Sequence, residues 1–432
     1  MLMLWVLCGG LAAPVSYILI PVSVLLLFRK GMIAEMLIGF FIILVLSDSR
    51  QEFFAFAAKI KDVYMLLLGL LLIFDRKNFQ PWDETAKKFI PFFALAGISL
   101  LFSEVFLTNV QKTISYVLVF LVVPNYFLRA WRNEKEKFIR DLIVTGTLLL
   151  LAGLILRPVL PDFVTLKGRY NGVLGNPNGM GLYCMLFMMM TAVCKEYYPG
   201  LFRRYELWAI YGIVIFSLYL CGSRSSLFGV VLFFFFRSVF RFSPIAGFIV
   251  FLTILFLYYL ISSNIATIIT ALNLQDYFRL ETFESGSGRV IAWEFGWEQI
   301  AKEPMLGKGI GYTDYFYRKN YALLSAMGHQ GNAHNSYITF WLDTGVFGLL
   351  AFVVAFVFSF IKGAVNSRSA IPALYAILFS AFFESWLTAS LNPFTIQALI
   401  MLTLFTSPAF NTSQQQLPEE PNAAPEAPYP VH

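Results

Sequence analysis

Two of the three histidines in this 432-residue chain fall in one short stretch, Gly328-His-Gln-Gly-Asn-Ala-His-Asn-Ser-Tyr337, where a polar segment meets a hydrophobic run. The third is the terminal His432. An unperturbed imidazole titrates near 6.5, which suits His334 to take a proton from an alcohol at neutral pH. A histidine at a helix end also serves as a cap, so residue type alone leaves both roles open. His329 has no Cys or Asp set beside it that would complete a metal site. Three arginines lie in small-residue settings elsewhere. Arg169 belongs to Gly168-Arg-Tyr-Asn-Gly-Val-Leu-Gly-Asn-Pro-Asn-Gly-Met-Gly181, a turn leading into an apolar run. Backbone N–H groups at such a helix start, beside a cation, form an anion site. Arg224 sits in Gly222-Ser-Arg-Ser-Ser226 between two apolar runs. Arg289 follows Ser285-Gly-Ser-Gly288, where a helix start would add its own partial positive charge. For each arginine the structural alternative is a snorkelling or loop-exposed side chain. Together, a proton acceptor and several fixed cations are what the departure of a phosphate group requires.

The elements that must position these residues are membrane helices. Hydrophobic residues make up 58% of the chain and charged residues 13%, against roughly 25% charged in a soluble domain. A hydrocarbon core about 30 Å thick needs roughly 20 apolar residues per helix. Helices pair every backbone amide within one segment, and the short alternating segments of a lipid-facing barrel are missing. The expected class is therefore all-α, a polytopic helical integral membrane protein. Spans are predicted near 31–47, 54–74, 89–107, 111–129, 140–160, 177–194, 205–221, 225–240, 243–263, 337–361, 370–390 and 393–409. Residues 3–28 form a further span or a hairpin broken at Pro14, for a total of about 12–13 transmembrane helices. The chain divides into a transmembrane region 1–263 whose short outward turns carry Arg169 and Arg224, one large loop 264–336 containing short helices, C-terminal helices 337–410, and a Pro/Glu/Gln-rich disordered tail 411–432.

Lysine and arginine cluster at Arg76/Lys77/Lys87/Lys88, Arg129/Arg132/Lys135/Lys137/Arg140, Lys195/Arg203/Arg204, Arg237/Arg241 and Lys362/Arg368. Successive clusters are two spans apart, so all five can face the cytoplasm. Segments 161–176, 222–224 and 264–336 then face outward, carrying His334 and the three arginines with them. An outward arginine runs against the positive-inside bias, and moving one toward the membrane centre costs roughly 2.5–3.5 kcal/mol. Arg224 is therefore expected at a wet cavity or a phosphate. Parity before residue 60 stays open. The net charge of +6 reflects these loops rather than a nucleic-acid partner, and the N-terminus lacks the basic region of a cleaved signal peptide. The four cysteines, without CxxC spacing, read as small apolar residues.

Within the large loop, Val290, Trp293, Trp297 and Ile300 recur at helical spacing and predict an amphipathic helix over 289–301 at the membrane interface. Gly307-x-Gly-x-Gly311 follows that helix and faces away from cytosolic nucleotides, so it reads as turn chemistry. Glu35 and Glu384 lie within predicted spans, where a carboxylate is a functional suspect; near a span end, snorkelling or a hydrogen-bonded pair is the alternative. With no outward Asp-x-Asp or tight carboxylate pair, no required metal and no cofactor are expected.

His334-Asn335, nine residues, and Gly345-Val-Phe-Gly348 resemble the His-Asn-x9-Gly-x-x-Gly pattern of bacterial O-antigen ligases. The Gly-Arg-Tyr…Gly-Asn-Pro-Asn-Gly turn, the Ser-Arg-Ser turn and the Ser-Gly-Arg…Trp…Gly-x-Gly-x-Gly block are similar to the rest of that superfamily, over about residues 165–350. The resemblance implies an inverting, metal-independent glycosyltransferase of the bacterial inner membrane with its active site facing the periplasm. It implies an undecaprenyl-diphosphate-linked glycan as donor and a lipid A-core or glycan hydroxyl as acceptor, with membrane lipids around them. By that resemblance His334 is the general base or positions the acceptor. Arg289, also catalytic, would hold the diphosphate with Arg169 and Arg224, supported by Asn335, His329, Asn176 and Asn178. Polymerases of the same superfamily often carry two sizeable outward loops with Arg-x10-Gly patterns. Here there is one large loop and none of the three arginines has that glycine, which favours a ligase over an O-antigen or exopolysaccharide polymerase or a protein O-oligosaccharyltransferase. A lipid-linked sugar transporter would call for broken, charged midplane helices in repeated halves; no repeat is present.

Overall fold

The computed structural model describes residues 2–75, 78–79, 82–239, 244–264, 267, 271, 287–327, 329 and 331–410. Among these the regular structure is helical except for one hairpin. Helices α1 (Leu2–Leu11) and α2 (Ala13–Arg29) part at Ala12, with Pro14 in the first turn of α2, so the N-terminal segment takes the form of two helices. Then come α3 (Ile33–Ser47), α4 (Ala55–Phe74), α5 (Ile90–Ser99), α6 (Phe106–Glu134) and α7 (Glu136–Val159). A single turn α8 (Pro161–Val164) leads into the antiparallel pair β1 (Thr165–Leu166) and β2 (Arg169–Tyr170). Helices α9 (Pro177–Tyr197), α10 (Arg204–Cys221), α11 (Arg224–Val239) and α12 (Pro244–Ser263) follow. A lobe of α13 (Ser287–Lys302), α14 (Tyr312–Lys319) and α15 (Tyr321–Ala326) precedes α16 (Ser336–Gly363), α17 (Ala370–Phe383) and α18 (Pro393–Thr406). Among the described residues, α6, α7, α9, α10 and α16 are long and apolar enough to cross a membrane, and shorter apolar helices accompany them. The protein is a multi-pass membrane protein. Arg76, Lys77, Arg241, most of 265–286 and the tail 411–432 lie outside the described residues.

Two predicted spans end early. Helix α5 stops at Ser99 and gives way to a 3-10 turn, Leu100–Phe102. Helix α17 stops at Phe383 because Glu384 takes an extended conformation (φ −145°, ψ 142°). Glu384 is therefore not inside a helix but at the head of a connection, 384–392. The predicted amphipathic helix is present and begins two residues earlier, at Ser287. Its Trp293 packs on Phe382 and Phe383 of α17 and its Trp297 on Trp341 of α16.

Helix starts near the site follow local rules. Asn176 accepts from Gly179 N at 2.7 Å, and Pro177 begins α9 where its missing N–H is harmless. Asn392 and Pro393 repeat the device at α18, with Phe394 N and Thr395 N at 2.8 and 2.7 Å. Asn335 does the same for α16, accepting from Tyr337 N at 2.9 Å and Ile338 N at 3.1 Å. Helix α9 is the central post: from Met180 to Cys194 its side chains are buried. Asp48, at the end of α3, accepts Gly175 N at 3.1 Å, which puts the α3–α4 connection at the same end of the bundle as the Arg169 turn and settles the relative parity of the N-terminal helices.

The lobe is joined to the bundle through a break in α16. Gly345 sits at φ +70°, ψ 177°, so the helical ladder is interrupted there. The freed groups are taken up by the strand of chain leading to α14: Lys308 N donates to Leu342 O (3.2 Å), Gly309 N to Asp343 O (2.8 Å), and Val346 N to Pro304 O (3.1 Å). The buried Asp343 carboxylate receives Gly311 N, Thr313 N and Thr313 Oγ1 at 2.7–2.8 Å. The Gly307–Gly311 run is thus a turn wrapped onto α16, as its spacing predicts. Lys308 to Glu104 (2.8 Å) ties the lobe to the α5–α6 connection, and Lys112 to Asp314 ties it to α6. A Cβ at Gly345 would both strain the backbone and overlap Met305 O. We expect Gly345→Ala to cost about 1–3 kcal/mol or more, read as a lower melting temperature of the purified protein; an unchanged melting temperature would show that the lobe does not depend on this break.

Candidate active site

Four connections meet at one end of the bundle. The hairpin turn brings Arg169 to the last residue of α10, where Nε and Nη2 donate to Cys221 O at 3.0 and 2.8 Å. Arg169 Nη2 also donates to Asn178 Oδ1 at 3.2 Å. Asn178 turns its other side-chain atom to Glu384, with Nδ2 to Oε1 at 3.1 Å. From the lobe, Arg289 Nη2 reaches the same Oε1 at 2.9 Å. From the segment before α16, His334 Nδ1 faces Glu384 Oε2 at 3.3 Å. Arg224, exposed, opens α11 two residues beyond the left-handed Gly222 that closes α10. Burial, reinforced by the like charges of Arg224 and Arg289, pushes the Arg169 guanidinium down from its ordinary value, against the opposing pull of Cys221 and Glu384. The three arginines therefore share one field.

His334 is held in an uncommon conformation. Its φ of +46° lies in the left-handed region, where a non-glycine residue costs of order 1–3 kcal/mol and persists only if its surroundings enforce it. The enforcement is visible on both sides. His334 N donates to Asn332 Oδ1 (3.2 Å), Asn335 N to Ser385 Oγ (2.9 Å), and Ser336 Oγ to Glu384 O (2.7 Å). The loop and the 384–385 segment are thus fastened edge to edge. His329 is buried and works from behind: its Nε2 bonds the backbone of Asn332, and its ring stands perpendicular to that of His334 at 6.1 Å. Asn335 is a helix cap. Asn176 is likewise a cap, whereas its neighbour Asn178 is part of the constellation. All of the site residues expected from the sequence fall at this end, with Asn176, Asn335 and His329 shaping the backbone and Arg169, Asn178, Arg289 and His334 joined by side-chain bonds.

Residues 209–353 match the family model described as O-antigen ligase. None of the curated proteins compared with the chain matches. The matched stretch contains Arg224, Arg289, His334, Asn335 and Gly345. Arg169 and Glu384 lie outside the matched residues and are joined to them through Cys221 and Arg289.

Glu384 is the member that sequence reasoning flagged without assembling. Its signal was a single carboxylate in the apolar run Phe382-Phe-Glu-Ser-Trp386. Burial pushes this carboxyl up, but the bond to His334, the charge of Arg289 and the bond from Asn178 outweigh it and hold the group below the usual value of 4.5. A carboxyl depressed by folding stabilises the folded state above its unfolded pKa, and that contribution is lost as pH falls through the lower folded value. The melting-temperature gap between wild type and Glu384→Gln should therefore stay constant from pH 7 to about 5 and close below about pH 4. A gap that already closes between pH 7 and 6 would contradict the depressed carboxyl.

Proposed function

We propose that the protein transfers a glycan from an undecaprenyl-diphosphate carrier to an acceptor hydroxyl, with lipid A-core as the acceptor, at the periplasmic face of the bacterial inner membrane. The observation that carries this reading is the convergence of Arg169, Arg224 and Arg289 on the same bundle end as His334, inside a family of lipid-linked glycan transferases. With Nδ1 turned to a carboxylate, the His334 proton resides there and Nε2 keeps its lone pair. The acceptor O–H gives its proton to Nε2 while its oxygen attacks the anomeric carbon. The bond from that carbon to the diphosphate breaks, and the electron pair leaves with the diphosphate. Attack from the face opposite the leaving group inverts the anomeric configuration. Guanidinium groups already fixed at the site stabilise the charge that grows on the departing oxygen. At an effective dielectric near 20, a cation about 4 Å from a unit charge contributes roughly 4 kcal/mol.

The positive residues support the sidedness, because Lys195, Arg204, Arg237 and Lys362 stand at the ends of α9, α10, α11 and α16 away from the site. In spheroplasts, Lys167→Cys should react with a membrane-impermeant maleimide and Val365→Cys only after lysis; the reverse pattern would remove the periplasmic assignment. Both positions are exposed, and three of the four native cysteines are buried.

In a deletion strain complemented with wild type, His334→Ala or Arg289→Ala, we expect the variants to insert normally but to transfer at least about 100-fold less glycan. On a glycolipid gel, loss of polymer from the lipid core with long chains left on the carrier is the ligase outcome. Core bearing a single repeat would mean a polymerase, and wild-type transfer by both variants would refute the site.

A further inference from the structure

The two oxygens of Glu384 have different partners. Oε1 takes Arg289 at 2.9 Å and Asn178 at 3.1 Å, and Oε2 faces His334 Nδ1 at 3.3 Å. A charge-assisted N–H···O bond is ordinarily about 2.7–2.9 Å long. The bond to Arg289 is in that range and the one to His334 is beyond it. The carboxylate thus lies closer to the arginine than to the imidazole. Asn178 links this arrangement to Arg169, accepting from the guanidinium through Oδ1 while donating to Glu384 through Nδ2. The side chains of Glu384, Arg289 and His334 are 18%, 29% and 28% exposed, so an incoming ligand can reach all three.

A diphosphate ester brings more negative charge and more acceptor oxygens than one carboxylate, and a guanidinium matches phosphate oxygens in bidentate fashion. Resting on the diphosphate-binding reading above, we propose that Glu384 is a placeholder for the donor's phosphate: it neutralises Arg289 until the donor arrives, yields it to the diphosphate, and then, still held by Asn178, turns its charge to His334. The exchange couples the two halves of the reaction. Only after the donor has taken Arg289 does the full carboxylate charge support the His334 Nδ1–H, which fixes the ring and makes the other nitrogen a better proton acceptor. Glu384 is in this sense a positioning residue, acting through Arg289 and His334, and it makes donor binding a precondition for activating the acceptor.

Glu384→Gln separates this role from a merely structural one, because removing a competitor and removing a support move binding in opposite directions. With inorganic pyrophosphate as the probe, titrated calorimetrically into the purified full chain at fixed ionic strength, Glu384→Gln should bind about tenfold tighter than wild type while its kcat falls about 100-fold. Glu384→Asp keeps the charge and shortens the reach, so its pyrophosphate affinity should stay within about twofold of wild type while kcat falls. Pyrophosphate binding that is unchanged or weaker in Glu384→Gln, or tenfold tighter in Glu384→Asp, would overturn the placeholder. Arg289→Ala serves as the control on the underlying reading. If it binds pyrophosphate as well as wild type does, the phosphate site itself is wrong; if it loses binding while Glu384→Gln fails to gain, only the placeholder is.

Discussion

In hydrocarbon, a backbone amide or carbonyl without a partner is worth several kcal/mol against the fold, and no water is at hand to supply one. The site described here is assembled from places where that constraint would otherwise be violated. Helices α9, α16 and α18 each begin at an asparagine whose side chain satisfies N–H groups of the first turn. The break at Gly345 leaves Leu342 O, Asp343 O and Val346 N without helical partners, and the lobe supplies them. Each interruption turns the chain outward at the same end of the bundle, which is how short polar segments come to sit side by side on so apolar a protein.

A second constraint is charge. Arg169, Arg224 and Arg289 lie in one field, and like charges at close quarters raise one another's energy unless something negative is placed among them. Glu384 is that negative group. It is bonded to Arg289 directly and to Arg169 through Asn178, and it faces the one histidine at the mouth of α16. The cost of burying a carboxylate is met by these three partners, and the lowered pKa of the group is the sign that they prevail. The same arrangement places one negative group among the three cations, and in the proposed exchange it is that group which a phosphate displaces. Specificity for a phosphate-bearing donor and restraint of the base would then be two aspects of a single electrostatic balance.

Much of this was legible in the residues. Apolar runs of the right length predict the helices, and the amphipathic spacing of Val290, Trp293, Trp297 and Ile300 predicts α13 to within two residues. The asparagines and prolines at 176–177 and 392–393 mark helix starts, and Gly307, Gly309 and Gly311 mark a turn. Lysine and arginine at two-span intervals indicate that Arg169, Arg224, Arg289 and His334 share a face. These are properties of segments, decided by side-chain type, spacing and the thickness of the bilayer, and they need no knowledge of what packs on what.

What the tertiary structure decided is which residues touch. Glu384 lies 50 residues beyond His334 and 206 beyond Asn178, and nothing local distinguishes it from a carboxylate snorkelling at the end of a span. Its role exists only because α17 ends at Phe383, one turn of chain then runs along the His334 loop, and the lobe folds back over both. The division between Asn176 as cap and Asn178 as bridge, two residues apart in the same turn, is equally invisible in sequence. The types of group available for the chemistry were written in the chain; the hydrogen bonds that join them depend on packing between helices far apart in sequence, which no local pattern encodes.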